Sequence, residues 1–522
     1  MAVGTENDEL QGLLARLALL ENILAARDAE LAARDAELAT RDAKIAELMA
    51  LVEQLTELLG QNSKNSHLPP SSDGPGASGG ASDRPKSKPK SKSNRKRGGQ
   101  KGHRGFFRAL LPPEQVDTIV DLFPEVCLGC GRLLPKNADA EAHRHQQLDI
   151  RNYRPHVTEW RRHGVTCGDC GTCTRADYDR KEIPASAFGS GLTAVVVLLT
   201  GVYHLSRRKA QSLLGDLFGI RVSLGAISAM EKRATEAFKP AHDEVRQEVQ
   251  DADVKHSDAT SWLRSGKLVS LWTVATIAAT YFEIFDDGRR ETIRPMFGPP
   301  RGILVSDRAT VFNFWSMEWR QVCWAHLLRR FVAFSERAGP AGALGRELLE
   351  ATAVMFEYWH GYKDGLLTRQ EFQQWVASVQ RDLEKLLERG AKSDIKRLSG
   401  SCADILAHKE ALWSFVTQKG VEPTNNHGES EIRDFVLWRK RSFGSQSRRG
   451  DRFAARVMTI ARTARKQGRA LLGFITDSLV AYTRGRPQRS PKVIHFCSAK
   501  VIQAEFAFGA RQQATSTRDR DL

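Results

Sequence analysis

"RGILVSDRATVF" (residues 301–312) decides how the second half of this chain folds. The apolar run is too short for a helix and is preceded by Gly and Pro, the signature of a buried strand. That strand ends on Asp307. Upstream, "DADVKHSDATSWL" (251–263) leads into "KLVSLWTVATIAATYFEIF" (267–285), whose Val, Ile, Thr and aromatic content reads as two adjacent strands. Asp258 is expected to close a strand just before Thr260. Two aspartates at strand ends of one sheet can converge, each offering oxygen ligands to a hard cation.

A third carboxylate follows in "GVEPTNNHGESEIRDFVLWRKRSFGSQSRRG" (420–450). Asn425 or Asn426 can cap a helix beginning near His427, which puts Glu429 in the first turn, where the ionised form is favoured. Asp258, Asp307 and Glu429 together could hold two divalent ions that clamp the attacking and leaving oxygens of a phosphoryl transfer. Arg433, one turn on, with Arg439 and Lys440 beyond, would face the phosphates. Taken singly, each acid is better read as a surface or capping residue; in combination they point to metal-dependent chemistry. Glu431, two residues from Glu429, is expected to point away from the site. Between Asp307 and Glu429 lies "QVCWAHLLRRF" (321–331). Its His326 could touch a phosphate or orient a catalytic water, or be a core histidine beside Trp324.

The whole chain of 522 residues is long enough for two to four domains. It carries 78 Lys+Arg against 62 Asp+Glu, a formal charge of +16, which favours a polyanionic partner: nucleic acid first, an anionic membrane second. With 41% hydrophobic residues global disorder is excluded. The N-terminus lacks the pattern of a signal peptide, and "LTAVVVLLTGVYHL" (192–205) is too short to span a bilayer and reads as a buried helix. A cytoplasmic, nucleoid-associated protein with no membrane partner is the expectation. Its eight cysteines should then be reduced or metal-bound.

Residues 1–60 carry a heptad repeat. Leu10, Leu17, Leu24, Leu31, Leu38, Ile45, Val52 and Leu59 occupy a; Leu13, Leu20, Arg27, Arg34, Arg41, Leu48 and Leu55 occupy d. This predicts a dimerising coiled coil rather than a single solvated helix. Its arginines would need Asp28, Asp35 and Asp42 at e, or Glu30 and Glu37 at g. Residues 61–110 form a flexible basic linker, in which Arg95, Lys96, Arg97 and Lys101 are candidate phosphate contacts; a solubilising spacer is the alternative. In 111–182 two C-x-x-C pairs, Cys127/Cys130 and Cys167/Cys170, have the spacing of one structural Zn²⁺ site, against free thiols, with Cys173, His143 or His145 as substitutes. Residues 183–250 are helical, with a break at Gly219 and Ser223 as N-cap of a second helix. The pattern suits a helix-turn-helix or an ordinary helical pair. Residues 251–482 hold the acids, with a helical insertion at about 327–422, and 483–522 read as a basic tail.

In this order, "QNSKNSHLPPSSD", "RKRGGQKGHRG", the paired C-x-x-C, "SDR", "CWAHLLRRF" and "EPTNNHGESEIRDFVLWRKRSFGSQS" resemble the large transposase subunit of the insertion-sequence 66 family, from the heptads to about residue 482. The resemblance implies a multidomain α+β protein with a ribonuclease-H-like, retroviral-integrase-like catalytic domain. It also implies an Asp-Asp-Glu triad mapping to Asp258, Asp307 and Glu429, a helical insertion, and two catalytic Mg²⁺ ions. It favours a functional role for His326. The partner implied is DNA, both element ends and target, with oligomerisation through the coiled coil and accessory transposition proteins. The chain departs from the family's usual Asp-Glu-Thr at Ala259 and from its Asn-Asn-x-Ala-Glu-Arg at Gly428 and Ser430. The alternatives are an inactive copy, a metal nuclease without joining activity, and a non-catalytic zinc-containing DNA-binding regulator.

Overall fold

Heptads, turn residues and apolar strands partition the chain into the elements seen in the computed structural model, which describes residues 3–59, 61, 65, 109–139, 142–150, 155–177, 183 and 186–484. Arg95, Lys96, Arg97 and Lys101 lie outside the described residues. The heptad segment is one helix, α1 (Val3–Leu59). A small antiparallel hairpin follows, β1 (Gly164–Thr166) and β2 (Cys173–Arg175).

Four helices come next: α2 (Ser190–Val197), continued by a π-helical turn over Leu198–Val202, α3 (Arg207–Phe218), α4 (Leu224–Ala237) and α5 (Lys239–Asp251). Helix α3 stops at Gly219, whose φ of 66° is left-handed, and the Ser223 hydroxyl accepts the Ala226 N–H to start α4. The predicted helix pair is therefore formed. Yet α4 buries Ile227, Met230, Ala234 and Ala237, and its buried Glu231 is paired with Arg207. Little of α4 is left to enter a DNA groove.

The centre is a five-stranded mixed sheet in the order β5-β4-β3-β6-β7, made of β3 (Val254–Arg264), β4 (Lys267–Ala275), β5 (Thr280–Phe285), β6 (Ile303–Ser306) and β7 (Arg320–Val322). Strands β3, β4 and β5 are antiparallel neighbours, while β3, β6 and β7 run parallel. Helix α6 (Arg290–Phe297) connects β5 to β6. All four residues of β6 are buried, as expected of a parallel strand covered on both faces. Leu304 joins one core cluster and Ile303 and Val305 the other, following the two-residue alternation of a strand.

One face of the sheet is covered by α2, α4 and α5 with α13 (Asn426–Ser442), α14 (Arg448–Lys466) and α15 (Leu471–Thr483); Ala234, Phe238, Trp262, Phe282, Phe435 and Met458 share that core. The opposite face carries the helices between β7 and α13: α7 (Trp324–Ser335), α8 (Gly339–Lys363), α9 (Arg369–Ala391), α10 (Leu398–Ala407), α11 (Lys409–Leu412) and α12 (Ser414–Thr417). Gly302, just before β6, has φ 67°, at a point where any Cβ would collide with the Asp253 carbonyl. Without that close approach Ile303 N–H could not reach the Asp253 oxygen at 2.7 Å and start the parallel ladder.

Candidate functional site

Asp307 follows β6 directly, as the apolar run predicts, and its Oδ1 accepts the Ala309 N–H at 3.0 Å. Asp258 does not close a strand. Strand β3 continues to Arg264 because Thr260–Arg264 pair with β4 through the two-residue turn Ser265–Gly266, both residues with positive φ. What ends near Asp258 is the parallel ladder, which pairs Val254 with Ile303, Lys255 with Leu304 and His256 with Val305. Extending that register by two residues sets Asp258 level with Asp307. Strand β3 thus leaves its neighbour β6 at the level of both aspartates.

Glu429 lies in the first turn of α13, and Asn425 stands at the N-cap position. The Asn425 side chain does not cap the helix. Its amide oxygen meets His256 Nδ1 at 3.1 Å and its NH₂ donates to the Ser257 carbonyl at 2.8 Å. Its backbone N–H donates to Cys323 Sγ at 3.1 Å, and its carbonyl accepts the Glu429 N–H at 3.0 Å. This one buried residue ties β3, the start of α7 and the first turn of α13 together.

Glu429 is half-buried, with Oε1 3.7 Å from His326 Nδ1 and Oε2 3.7 Å from an Arg329 nitrogen. Oε1 is a buried acceptor with no hydrogen-bond donor among the described residues. Burial raises the Glu429 pKa, and Asp307 raises it further against the opposing Arg329. Burial likewise pushes Asp258 up to about 7; the Ala259 N–H and Arg329 oppose this, while Glu429 and Asp307 add to it. The three carboxylates are thus close enough to repel one another, an arrangement that a bound cation would relieve. Among the described residues, the potential ligand atoms that all lie within 4.8 Å of one another are those of Cys323, His326 and Glu429, not the three acids. Burial pushes the Cys323 thiol up to about 11, which keeps it protonated.

Arg329 and the strut Asn425 were not foreseen. The signal for Arg329 is the spacing in "CWAHLLRRF": His326 and Arg329 are three apart and share a face of α7. The other cations of α13 divide. Arg433 and Lys440 are exposed, but Arg439 is turned onto β3, where its guanidinium meets Ser261 and reaches Thr260 Oγ1 at 3.4 Å. Glu431 does point away from Glu429, but into protein rather than water. It is 6% exposed, with Lys466 Nζ at 3.1 Å and Arg462 Nε at 3.3 Å.

Each C-x-x-C pair forms its own tight turn. Cys127 N–H donates to Arg132 O and Gly131 N–H to Cys127 O; Cys167 N–H donates to Thr172 O and Gly171 N–H to Cys167 O. Gly131 and Gly171 supply the positive φ that the turns require. Backbone N–H groups of Cys130 and Gly129 lower the Cys127 pKa, and Thr172 lowers that of Cys170, so both thiols are biased towards the thiolate that binds metal. The strand leading into the second turn is β1, and Cys173 lies on β2. His143 and His145 are exposed. Among the described residues the four sulfurs do not gather at one point.

On α1 the apolar a and d side chains from Leu17 to Val52 are exposed. Glu30 pairs with Arg34 at 2.8 Å and Glu37 with Arg41 at 2.5 Å, so glutamates of the same helix serve the d-position arginines. No described helix is long and apolar enough to cross a membrane.

With this geometry in view, the comparisons assign a family. Residues 185–452 match the family model described as Transposase IS66 family, and the chain belongs to that family. The match takes in helices α2–α5 together with the sheet, the helices between β7 and α13, and α13 itself. Residues 8–109 match the model of a family of unknown function. The chain is also similar to an uncharacterized protein, y4qI, of Sinorhizobium fredii (strain NBRC 101917 / NGR234), at 26% identity over 172 residues. The matched part is 32% of this chain and 31% of that relative, so the chain spans about a third of the length of the curated relative it matches.

Proposed function

We propose that this chain is a DNA transposase whose ribonuclease-H-like domain cuts the ends of a mobile element and joins their 3′-hydroxyls to target DNA, with Asp258, Asp307 and Glu429 as the acidic triad. The observation that supports the reading is the parallel ladder that ends two residues before both Asp258 and Asp307, with Glu429 near enough to raise the pKa of Asp258. The residues fit a divalent cation: mutually repelling carboxylates and a buried Glu429 oxygen with no donor among the described residues. Two Mg²⁺ ions held by these acids would activate the attacking oxygen and stabilise the leaving one.

In the first step water attacks phosphorus and the P–O3′ bond breaks, freeing the element's 3′-hydroxyl. That hydroxyl then attacks a target phosphodiester, a new P–O bond forms, and the target's own 3′-oxygen leaves. His326, 3.7 Å from Glu429, would hold the proton released by the nucleophile. Arg329 fixes Glu429, and exposed Arg433 and Lys440 would receive backbone phosphates. The two cysteine turns would close on one Zn²⁺, and α1 would pair two chains so that two element ends are held together; accessory transposition proteins would complete the assembly. The test is to incubate the purified chain with Mg²⁺ and DNA carrying the inverted repeats that flank its coding region. Free 3′-hydroxyls at the element ends and joined products are expected; intact DNA under all conditions would refute the reading.

A further inference from the structure

Phe443 follows α13 with φ 55°. Glycine or asparagine is the usual residue in this left-handed conformation, because a larger side chain crowds the backbone there. Phe443 is nevertheless 73% exposed to water. Its neighbours account for the rigidity of the turn but not for the ring. Gly444 is also left-handed, at a point where a Cβ would collide with the Leu263 carbonyl. Ser445 N–H donates to that same carbonyl at 2.9 Å, and Ser265 N–H donates to the Ser445 carbonyl at 2.8 Å. Beneath them the buried Asp451 accepts from the Ser445 hydroxyl and from Trp262 Nε1 and pairs with Arg264. A turn pinned this firmly to the β3–β4 hairpin displays a strained, solvent-exposed aromatic side chain that its own fold does not need.

The surroundings are cationic. Arg433, Lys440 and Arg441 are exposed, as is Arg448, which pairs with Asp286 at 2.5 Å. On α13, Glu429, Arg433 and Lys440 fall on one helical face, so a basic line runs from the acidic site towards Phe443. Phe443 is 14 residues beyond Glu429, about 21 Å along a helix and on the order of six nucleotide steps. A line of cations leading to a single exposed ring suits a nucleic-acid strand, whose phosphates meet the cations while a base meets the ring.

We propose that Phe443 is a stacking platform for an unpaired base of a DNA strand whose phosphates follow Arg433 and Lys440. The proposal rests on the DNA-transposase reading above. Base–aromatic stacking needs only a free ring face and tolerates any sequence, and a base already out of its duplex reaches the ring at least cost.

The test uses the full chain and two DNA probes, a blunt duplex and the same duplex with a single-stranded 3′ extension containing 2-aminopurine. Wild type should bind the extended probe more tightly and quench its fluorescence. Phe443→Ala should weaken binding of that probe at least about fivefold and abolish quenching, leaving the blunt duplex unaffected. Phe443→Tyr should behave as wild type. Phe443→Asn should lose the extension-specific binding while raising the thermal midpoint, since asparagine tolerates the left-handed conformation. Equal binding and quenching by wild type and Phe443→Ala overturns the proposal and leaves the transposase reading standing. Unchanged DNA binding with an altered sedimentation coefficient overturns it in favour of a protein contact. If wild type binds neither probe, both readings fall.

Discussion

Asp258 and Asp307 each lie two residues past the last pair of the parallel ladder, His256 with Val305. Both therefore sit at the same end of the sheet, near enough for Asp307 to raise the Asp258 pKa. If the acids act as one unit, Asp258→Asn, Asp307→Asn and Glu429→Gln should each abolish Mg²⁺-dependent cleavage and joining, with DNA affinity nearly unchanged. Double substitutions should lose little more than single ones. Exposed Glu350 on α8 is a suitable control: Glu350→Gln should keep full activity. Wild-type cleavage by all three single variants would remove the triad.

Burial of Asp258, with Glu429 and Asp307 adding to it, predicts a pH dependence in metal-free protein. The folded Asp258 carboxyl is pushed up to about 7 from an ordinary 3.8, so the unfolded chain loses this proton first. Between those values stability falls as pH rises, and above 7 the full penalty applies. Asparagine cannot ionise, so Asp258→Asn should match wild type near pH 4 and exceed it at pH 8. The gain should be about 1–2 kcal/mol once partial exposure is discounted, or roughly 2–4 °C per kcal/mol. Parallel melting curves at the two pH values check this; a variant no more stable at pH 8 than at pH 4 would contradict it.

Much of this was legible in the sequence. Apolar runs marked β4, β5 and β6, and short turn residues marked Gly219 and Ser223. The end of β3 was not, because the two-residue Ser265–Gly266 turn carries the strand past Asp258, and Asp258 marks the end of a parallel ladder rather than of a strand. The Asn425 cap was misread for a related reason. Local helix chemistry offers the side chain an N–H of its own turn, but the carbonyl of Ser257 and the ring of His256, far away in sequence, compete for it and win. Helical periodicity turns Glu431 away from Glu429, but it does not show what covers that other face.

Glu431 is therefore a structural residue. Gln at this position would leave Arg462 and Lys466 without their buried counter-charge, at a cost of about 3 kcal/mol. Asn425→Ala would leave the Ser257 carbonyl and His256 Nδ1 short of partners, costing about 2–3 kcal/mol. Chemical denaturation should place both variants well below wild type, with Asn425→Ala also losing activity at temperatures where it remains folded. A stable Asn425→Ala with wild-type turnover would show that the strut positions nothing.

Metal content is a separate matter. The low-pKa bias of Cys127 and Cys170 and the two matching turns predict one Zn²⁺ per chain, bound by Cys127, Cys130, Cys167 and Cys170. Elemental analysis of purified protein should give about one equivalent, and Cys127→Ser should lower it sharply. A zinc-free preparation that is folded and active would end the proposal.

The exposed stripe on α1 gives the last prediction. Leu17, Leu24, Leu31, Leu38, Ile45 and Val52 recur every seven residues and face water in the single chain, an arrangement that pays off only when a second helix covers them. The arginines at Arg27, Arg34 and Arg41 weaken the middle of that seam. Because Glu30 and Glu37 neutralise Arg34 and Arg41 within one helix, they leave few charges to specify a partner, and the seam should be a modest one. Sedimentation of the full chain should give a dimer or higher oligomer at micromolar concentration, and removal of residues 1–60 should shift it towards monomer. Replacing the three arginines with leucine should tighten association by about 1 kcal/mol or more per layer, since each exchanges a partly solvated charge for buried hydrocarbon. If the full chain is monomeric and the leucine variant is too, the stripe does not pair chains. If removing residues 1–60 leaves an oligomer intact, the contact lies elsewhere in the fold.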